Sequence, residues 1–181
     1  MVDTKLMTAE ELADLPDDGQ KYELMRGELV TMAPAGRRSG RLGLEIGVHL
    51  AAHVKSRGLG ETYGADTGFI LARNPDIVLA PDASFVREER LQDLGEDGFL
   101  LLAPDLAVEV ISSSERAGHI SAKVMEYLDA GVRLLWLIDP RRKFVTVYTP
   151  DRRASILREP DELDGGDVLP GFRLPLSELF A

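Results

Sequence analysis

Two short runs, Leu106-Ala107-Val108-Glu109-Val110-Ile111 and Leu134-Leu135-Trp136-Leu137-Ile138, constrain this chain more than any other feature. Neither alternates apolar with polar residues. Strands that read this way are covered on both faces, and helices do the covering. Two helices are available. Leu42, Ile46, Leu50 and Val54 recur every four residues and predict a helix over 41–57, stopped by Gly58 and Gly60. Ser112, Ser113 and Ser114 offer N-caps for a second helix running to about Ala130 and closed by Gly131. The fold class that follows is α/β, a mixed central sheet flanked by two long helices.

The remaining segments hang on that frame. Thr8 and Glu11 make a capping box for a short helix that Pro16 ends. Tyr22 to Met25 and Glu28 to Met32 predict a hairpin across Arg26-Gly27. Residues 61–71 read as one strand, 77–86 as another interrupted by Pro81, and 143–149 as an outer strand. In the Gly- and Pro-rich tail, Leu169, Phe172, Leu174, Leu176, Leu179 and Phe180 supply apolar bulk for docking on the body. A chain of 181 residues predicts one domain: an N-terminal helix and hairpin over 1–35, a core over 36–149 and a docked tail over 150–181.

The absence of Cys excludes disulfides, thiolate-held metals and thiol catalysis. No basic, apolar leader opens the chain and no run of about 18 apolar residues occurs, so a cytoplasmic protein without a membrane partner is expected. The net charge of −10 opposes indiscriminate binding to nucleic acid. Yet Arg37, Arg38, Arg41, Lys55 and Arg57 stand against only Glu45 between Gly36 and Gly58. That strip fits a phosphate-facing edge as well as a solvated helix face.

Glu109 is the anomaly. A carboxylate inside a buried strand is costly unless it is paired or binds a metal. Asp82, after Pro81, opens a second apolar segment. Two carboxylates on neighbouring strands make a hard-oxygen site suited to Mg²⁺ or Mn²⁺; paired structural carboxylates are the alternative. Lys123 lies on the helix that follows Glu109, and its flexible stem could carry the ammonium back to the acids, where it could hold a water or offset charge on a phosphate. Taken by itself, a surface lysine paired with Glu126 or Asp129 is the commoner reading. Tyr127 lies one turn on, on the same face. Glu23 and Glu28 are weaker candidates for an extra acidic ligand, since hairpin glutamates mostly face solvent. Glu45, His49 and His53 stand at i, i+4 and i+8, a spacing that favours a core edge or dimer contact over a metal stripe. The glycines between Gly36 and Gly43 lack the Lys-Ser/Thr of a P-loop.

Taken in order, Tyr22-Glu23-Leu24-Met25-Arg26-Gly27-Glu28-Leu29, Pro81-Asp82, Val108-Glu109-Val110-Ile111-Ser112, Lys123 with Tyr127, and Leu135-Trp136-Leu137-Ile138-Asp139-Pro140 resemble the Uma-type restriction-endonuclease family of the PD-(D/E)XK nuclease superfamily. The resemblance spans nearly the whole chain. It implies a restriction-endonuclease-like fold, with Asp82 and Glu109 as metal-holding catalytic acids and Lys123 as the catalytic lysine. The superfamily lysine usually lies two residues after the acid; Ile111 stands there, so by this resemblance the lysine has moved to the helix. Two positions depart from the family pattern: His119 where an acid is common, and Arg38-Ser39-Gly40 where a His is common. The resemblance implies a Mg²⁺- or Mn²⁺-dependent endonuclease acting on DNA, with the backbone carbonyl of Val110 as a further ligand and Arg37, Arg38 and Arg41 facing the DNA backbone. No separate recognition domain fits into 181 residues, so sequence specificity would need a dimer or a partner, and a homodimer is expected. The alternatives are a catalytically silent nuclease-fold module for binding or assembly, and a hydrolase of smaller phosphate esters.

Overall fold

The computed structural model describes residues 6–92, 94–95, 97–112 and 115–181. The chain begins with α1 (Ala9–Ala13), capped by Thr8 in the expected box with Glu11. Next comes the expected hairpin, β1 (Lys21–Met25) and β2 (Glu28–Met32). Its turn residues Arg26 and Gly27 have φ of 54° and 80°, the left-handed pair that matches the strands' twist. Gly27 is required there, because a Cβ would lie 2.7 Å from that of Leu6. The first long helix, α2, spans Arg37–Arg57, with Gly36 as its N-cap, and so starts one turn earlier than its apolar stripe indicates.

The segments read as single strands over 61–71 and 77–86 are each two strands in two different sheets. The first divides into β3 (Gly60–Gly64) and β4 (Phe69–Ala72), broken by a turn near Thr67. The second divides into β5 (Ile77–Leu79) and β6 (Ala83–Arg87). Pro81, with no N–H to donate, sits at that break. Then come β7 (Leu106–Val110), α3 (Ala117–Asp129), β8 (Leu134–Asp139) and β9 (Phe144–Tyr148). Ser112 does not cap α3: the capping position is Arg116, with no side-chain cap bond. Ser113 and Ser114 lie outside the described residues. The tail adds β10 (Ala154–Leu157), β11 (Glu162–Asp164), β12 (Arg173–Pro175) and α4 (Leu176–Leu179), strands that no alternation in the sequence announces.

Six strands make the main sheet, in the order β10-β9-β8-β7-β6-β3; only β7 and β8 pair in parallel. A second, antiparallel sheet has the order β2-β1-β5-β4. Alternation along β7 and β8 sorts the two faces of the main sheet. Leu106, Val108, Val110, Leu134, Trp136 and Ile138 pack with the α2 stripe of Leu42, Ile46, Leu50 and Val54. The tail joins the same cluster through Leu163, Leu169, Phe172, Leu174, Leu176, Leu179 and Phe180. Ala107, Leu135 and Leu137 face the other way and pack on Val124 and Tyr127 of α3. Glu109 shares the α3 face.

Candidate active site

Parallel strands cannot be joined by a tight turn, so β7 must return to β8 through a crossover, and α3 is that crossover. Its first turns therefore lie beside the C-terminal end of β7. Lys123 and Tyr127, one turn apart, present the same face to the sheet. The Lys123 ammonium reaches Glu109, 2.8 Å from Oε1 and 2.9 Å from Oε2. The Tyr127 hydroxyl donates to Glu109 Oε1 at 2.7 Å. Lys123 is thus no surface lysine: it is 3% exposed, and its possible surface partners are engaged elsewhere, Glu126 with Arg26 and Asp129 with Arg152.

Asp82 sits at the corner between β5 and β6. Ala83 pairs with Val108, and one further step along that antiparallel register sets Asp82 across from Glu109. Asp82 Oδ2 accepts the Val110 N–H at 2.7 Å, which fixes the carboxylate against the end of β7. The expected acids and lysine therefore meet at one place.

Sequence reasoning underrated Glu23. It is buried, 1% exposed, because β1 is an interior strand of the second sheet, with β2 on one side and β5 on the other. Its Oε1 accepts from Lys123 Nζ and from the Ala80 N–H, both at 3.1 Å. Its Oε2 is buried with no partner among the described residues. The β1–β5 pairing that buries it is a long-range contact, which a hairpin motif does not reveal. Glu28, by contrast, is exposed as expected.

Burial pushes the Glu109 carboxyl up to about 7; nearby Glu23 and Asp82 push the same way, and Lys123 pulls against them. Burial also raises Asp82, against the hydrogen bond from Val110. For Lys123, burial favours the neutral amine, but Glu109 and Glu23 outweigh it and hold the ammonium charged above its ordinary range. Tyr127 is raised well above the ordinary phenol, first by burial and then by Glu109, so it stays a hydroxyl donor.

Asp82, Glu109 and Lys123 line a cleft of about 680 Å³. Ser39 of α2 and His119 of α3 stand on its walls. Arg37, Arg38 and Arg41 are exposed on the first turns of α2, a stretch with no acidic residue in its opening turn. The Glu45, His49 and His53 row lies at the core edge and ties down the tail: His49 meets Glu178 at 3.7 Å and His53 meets the Pro170 carbonyl at 3.0 Å.

The donor set suits a hard cation. Asp82 and Glu109 offer carboxylate oxygens to one cleft, and Glu23 Oε2 is buried with no hydrogen-bond partner among the described residues. Among the described residues no group of three or more His, Asp or Glu side chains forms a metal cage. Two carboxylates with solvent-filled remaining positions is the arrangement Mg²⁺ favours.

The Uma2 sequence family, described as "Putative restriction endonuclease", matches residues 9–177. The chain belongs to the Uma2 family. Among solved structures, a chain from Anabaena variabilis, titled a "putative nuclease belonging to DUF820", superposes with a TM-score of 0.82 at 23% identity. The match covers 96% of this chain and 97% of that one, and it shows the same fold. No curated protein matches. The expected restriction-endonuclease-like α/β architecture is therefore the observed one. His119 stands on the cleft wall, and its Nε2 is buried with no partner among the described residues. No helix among the described residues is long and apolar enough to cross a membrane.

Proposed function

We propose that this Uma2-family chain is a metal-dependent endonuclease that hydrolyses DNA phosphodiester bonds. The observation that carries this reading is the Lys123 ammonium, held 2.8 Å from Glu109 in a cleft that Asp82 shares. In this reading Asp82 and Glu109, with the Val110 carbonyl, hold one Mg²⁺ or Mn²⁺. Such an ion supplies Lewis acidity at the scissile phosphate and lowers the pKa of a bound water. Lys123 orients that water or offsets charge on a phosphate oxygen; the neighbouring carboxylates keep it charged for the task. Tyr127 fixes the Glu109 carboxylate in one rotamer. Arg37, Arg38 and Arg41, at the positive end of a 21-residue helix, meet the DNA backbone. In this reading the chain acts on DNA as a homodimer.

Nicking of supercoiled plasmid in Mg²⁺ tests the reading. Lys123→Ala should slow it about 10²-fold, the scale of losing one positioned donor. Calorimetric titration with Mn²⁺ should show binding that Asp82→Ala abolishes and Lys123→Ala does not weaken, since an ammonium cannot ligate a cation. A wild-type protein that cleaves no single-stranded, duplex or branched DNA with either ion would instead be the non-catalytic module.

A further inference from the structure

Glu23 contributes something that neither acid of the site supplies. It comes from the second sheet, yet its side chain meets Lys123, which is bonded to Glu109 of the main sheet. One oxygen, Oε1, serves two arms of the site at once: it accepts from Lys123 Nζ and from the Ala80 N–H, each at 3.1 Å. Ala80 stands two residues before Asp82, across Pro81, whose ring stiffens that corner. The same strand also grips the other side of that residue, because Lys21 Nζ donates to the Ala80 carbonyl at 2.9 Å. β1 therefore clamps the segment that delivers Asp82 and, through the same carboxylate, the lysine that meets Glu109.

We propose that Glu23 is the positioning residue of the site: it holds the Lys123 ammonium and the Ala80–Pro81–Asp82 corner in fixed relation, and keeps the lysine in place when a cation draws on Glu109. The proposal rests on the reading of Asp82, Glu109 and Lys123 as the working groups. Its physical basis is the sharing of one buried cation between two carboxylates. With both present, Lys123 does not depend on Glu109 alone. With Glu23 neutral, the ammonium has only Glu109 to lean on and competes with a metal for it. The buried Oε2 of Glu23, with no partner among the described residues, accords with a carboxylate retained for its charge: an apolar residue there would leave no orphaned oxygen, and a carboxylate is costly to bury without such a use.

A double-mutant cycle tests this, with Glu23→Gln and Lys123→Met made singly and together and read by thermal unfolding and by Mn²⁺ calorimetry. The glutamine keeps an oxygen for the Ala80 N–H, so the corner is preserved while the charge is removed. In the stability arm, the two losses should be strongly non-additive, the double variant losing far less than the sum. Should Glu23→Gln alone fail to fold, addition of Lys123→Met should restore folding. In the metal arm, Glu23→Gln should weaken Mn²⁺ binding about tenfold or more in the wild-type background, the usual scale for a partner that orients a ligand group. It should have no effect in the Lys123→Met background. Additive stability losses, or a double variant that stays unfolded, would overturn the proposal. So would an equal loss of Mn²⁺ affinity in both backgrounds, which would make Glu23 a ligand or a structural prop. If the wild type binds no Mn²⁺, the metal reading falls, and the stability arm alone decides the role of Glu23.

Discussion

Glu109 answers to two opposed demands: the strand it sits in excludes water, and the chemistry proposed for it needs a charge. Its carboxyl ordinarily ionises near 4.5, and burial lifts it to about 7, with Glu23 and Asp82 adding to the lift. A raised acid binds more protons in the native than in the unfolded state. Between 4.5 and 7, therefore, stability attributable to Glu109 is lost as pH rises, and above about 7 the loss is complete. Glu109→Gln removes that dependence. Calorimetric scans at half-unit steps should show the variant's melting temperature gaining on the wild type from pH 4.5 to 7.5 and then running level. Parallel curves would mean that Glu109 does not titrate in that window. The sequence already marks Glu109 as anomalous, because one acid in an apolar run is a local signal. It cannot mark Glu23 the same way. The pairing partner of Glu23 across the hairpin is Val30, and nothing local shows that a third strand, β5, closes over the other side.

At the level of single elements, α2 sets stability against its proposed use. Its positive end carries Arg37, Arg38 and Arg41 with no acid in the first turn, and Gly36 caps it without a side-chain bond. Cations at a helix N-terminus are unfavourable, each by about 0.3–1 kcal/mol. Arg37→Glu with Arg38→Glu should therefore raise the melting temperature while weakening DNA retention and flattening its salt dependence, as measured by filter binding across salt concentrations. Unchanged retention would place the DNA elsewhere. The element pattern also explains which parts of the fold can be read directly from sequence. The four-residue recurrence of Leu42, Ile46, Leu50 and Val54 survives intact because one helix face meets one sheet face. Residues 61–71 and 77–86 mislead because each carries continuous β-forming character across a point where the chain leaves one sheet for another. Only turn residues mark that point, and a turn does not say which sheet follows it. β10 and the short β11 and β12 have too few residues to alternate visibly.

For the molecule as a whole, the tail is part of the core. Phe172 is buried, and its ring lies 5.5 Å from that of Trp136 in the middle of the main sheet. Phe172→Ala should cost about 3–5 kcal/mol, the usual range for emptying a buried aromatic site. Trp136 is the sole tryptophan, so the same variant should shift its emission to longer wavelength if the tail loosens. A small stability loss with unaltered emission would mean that the tail docks without this ring. The centre of the molecule can also be described by distance along the chain. Lys123 meets Glu109 across 14 residues, Val110 meets Asp82 across 28, and Lys123 meets Glu23 across 100. The first contact belongs to a single strand-helix-strand unit, whereas the last exists only where the two sheets have come together. One ammonium group thus bridges the most local and the most distant of these contacts, and its place between Glu109 and Glu23 is a gauge of whether the whole chain has assembled.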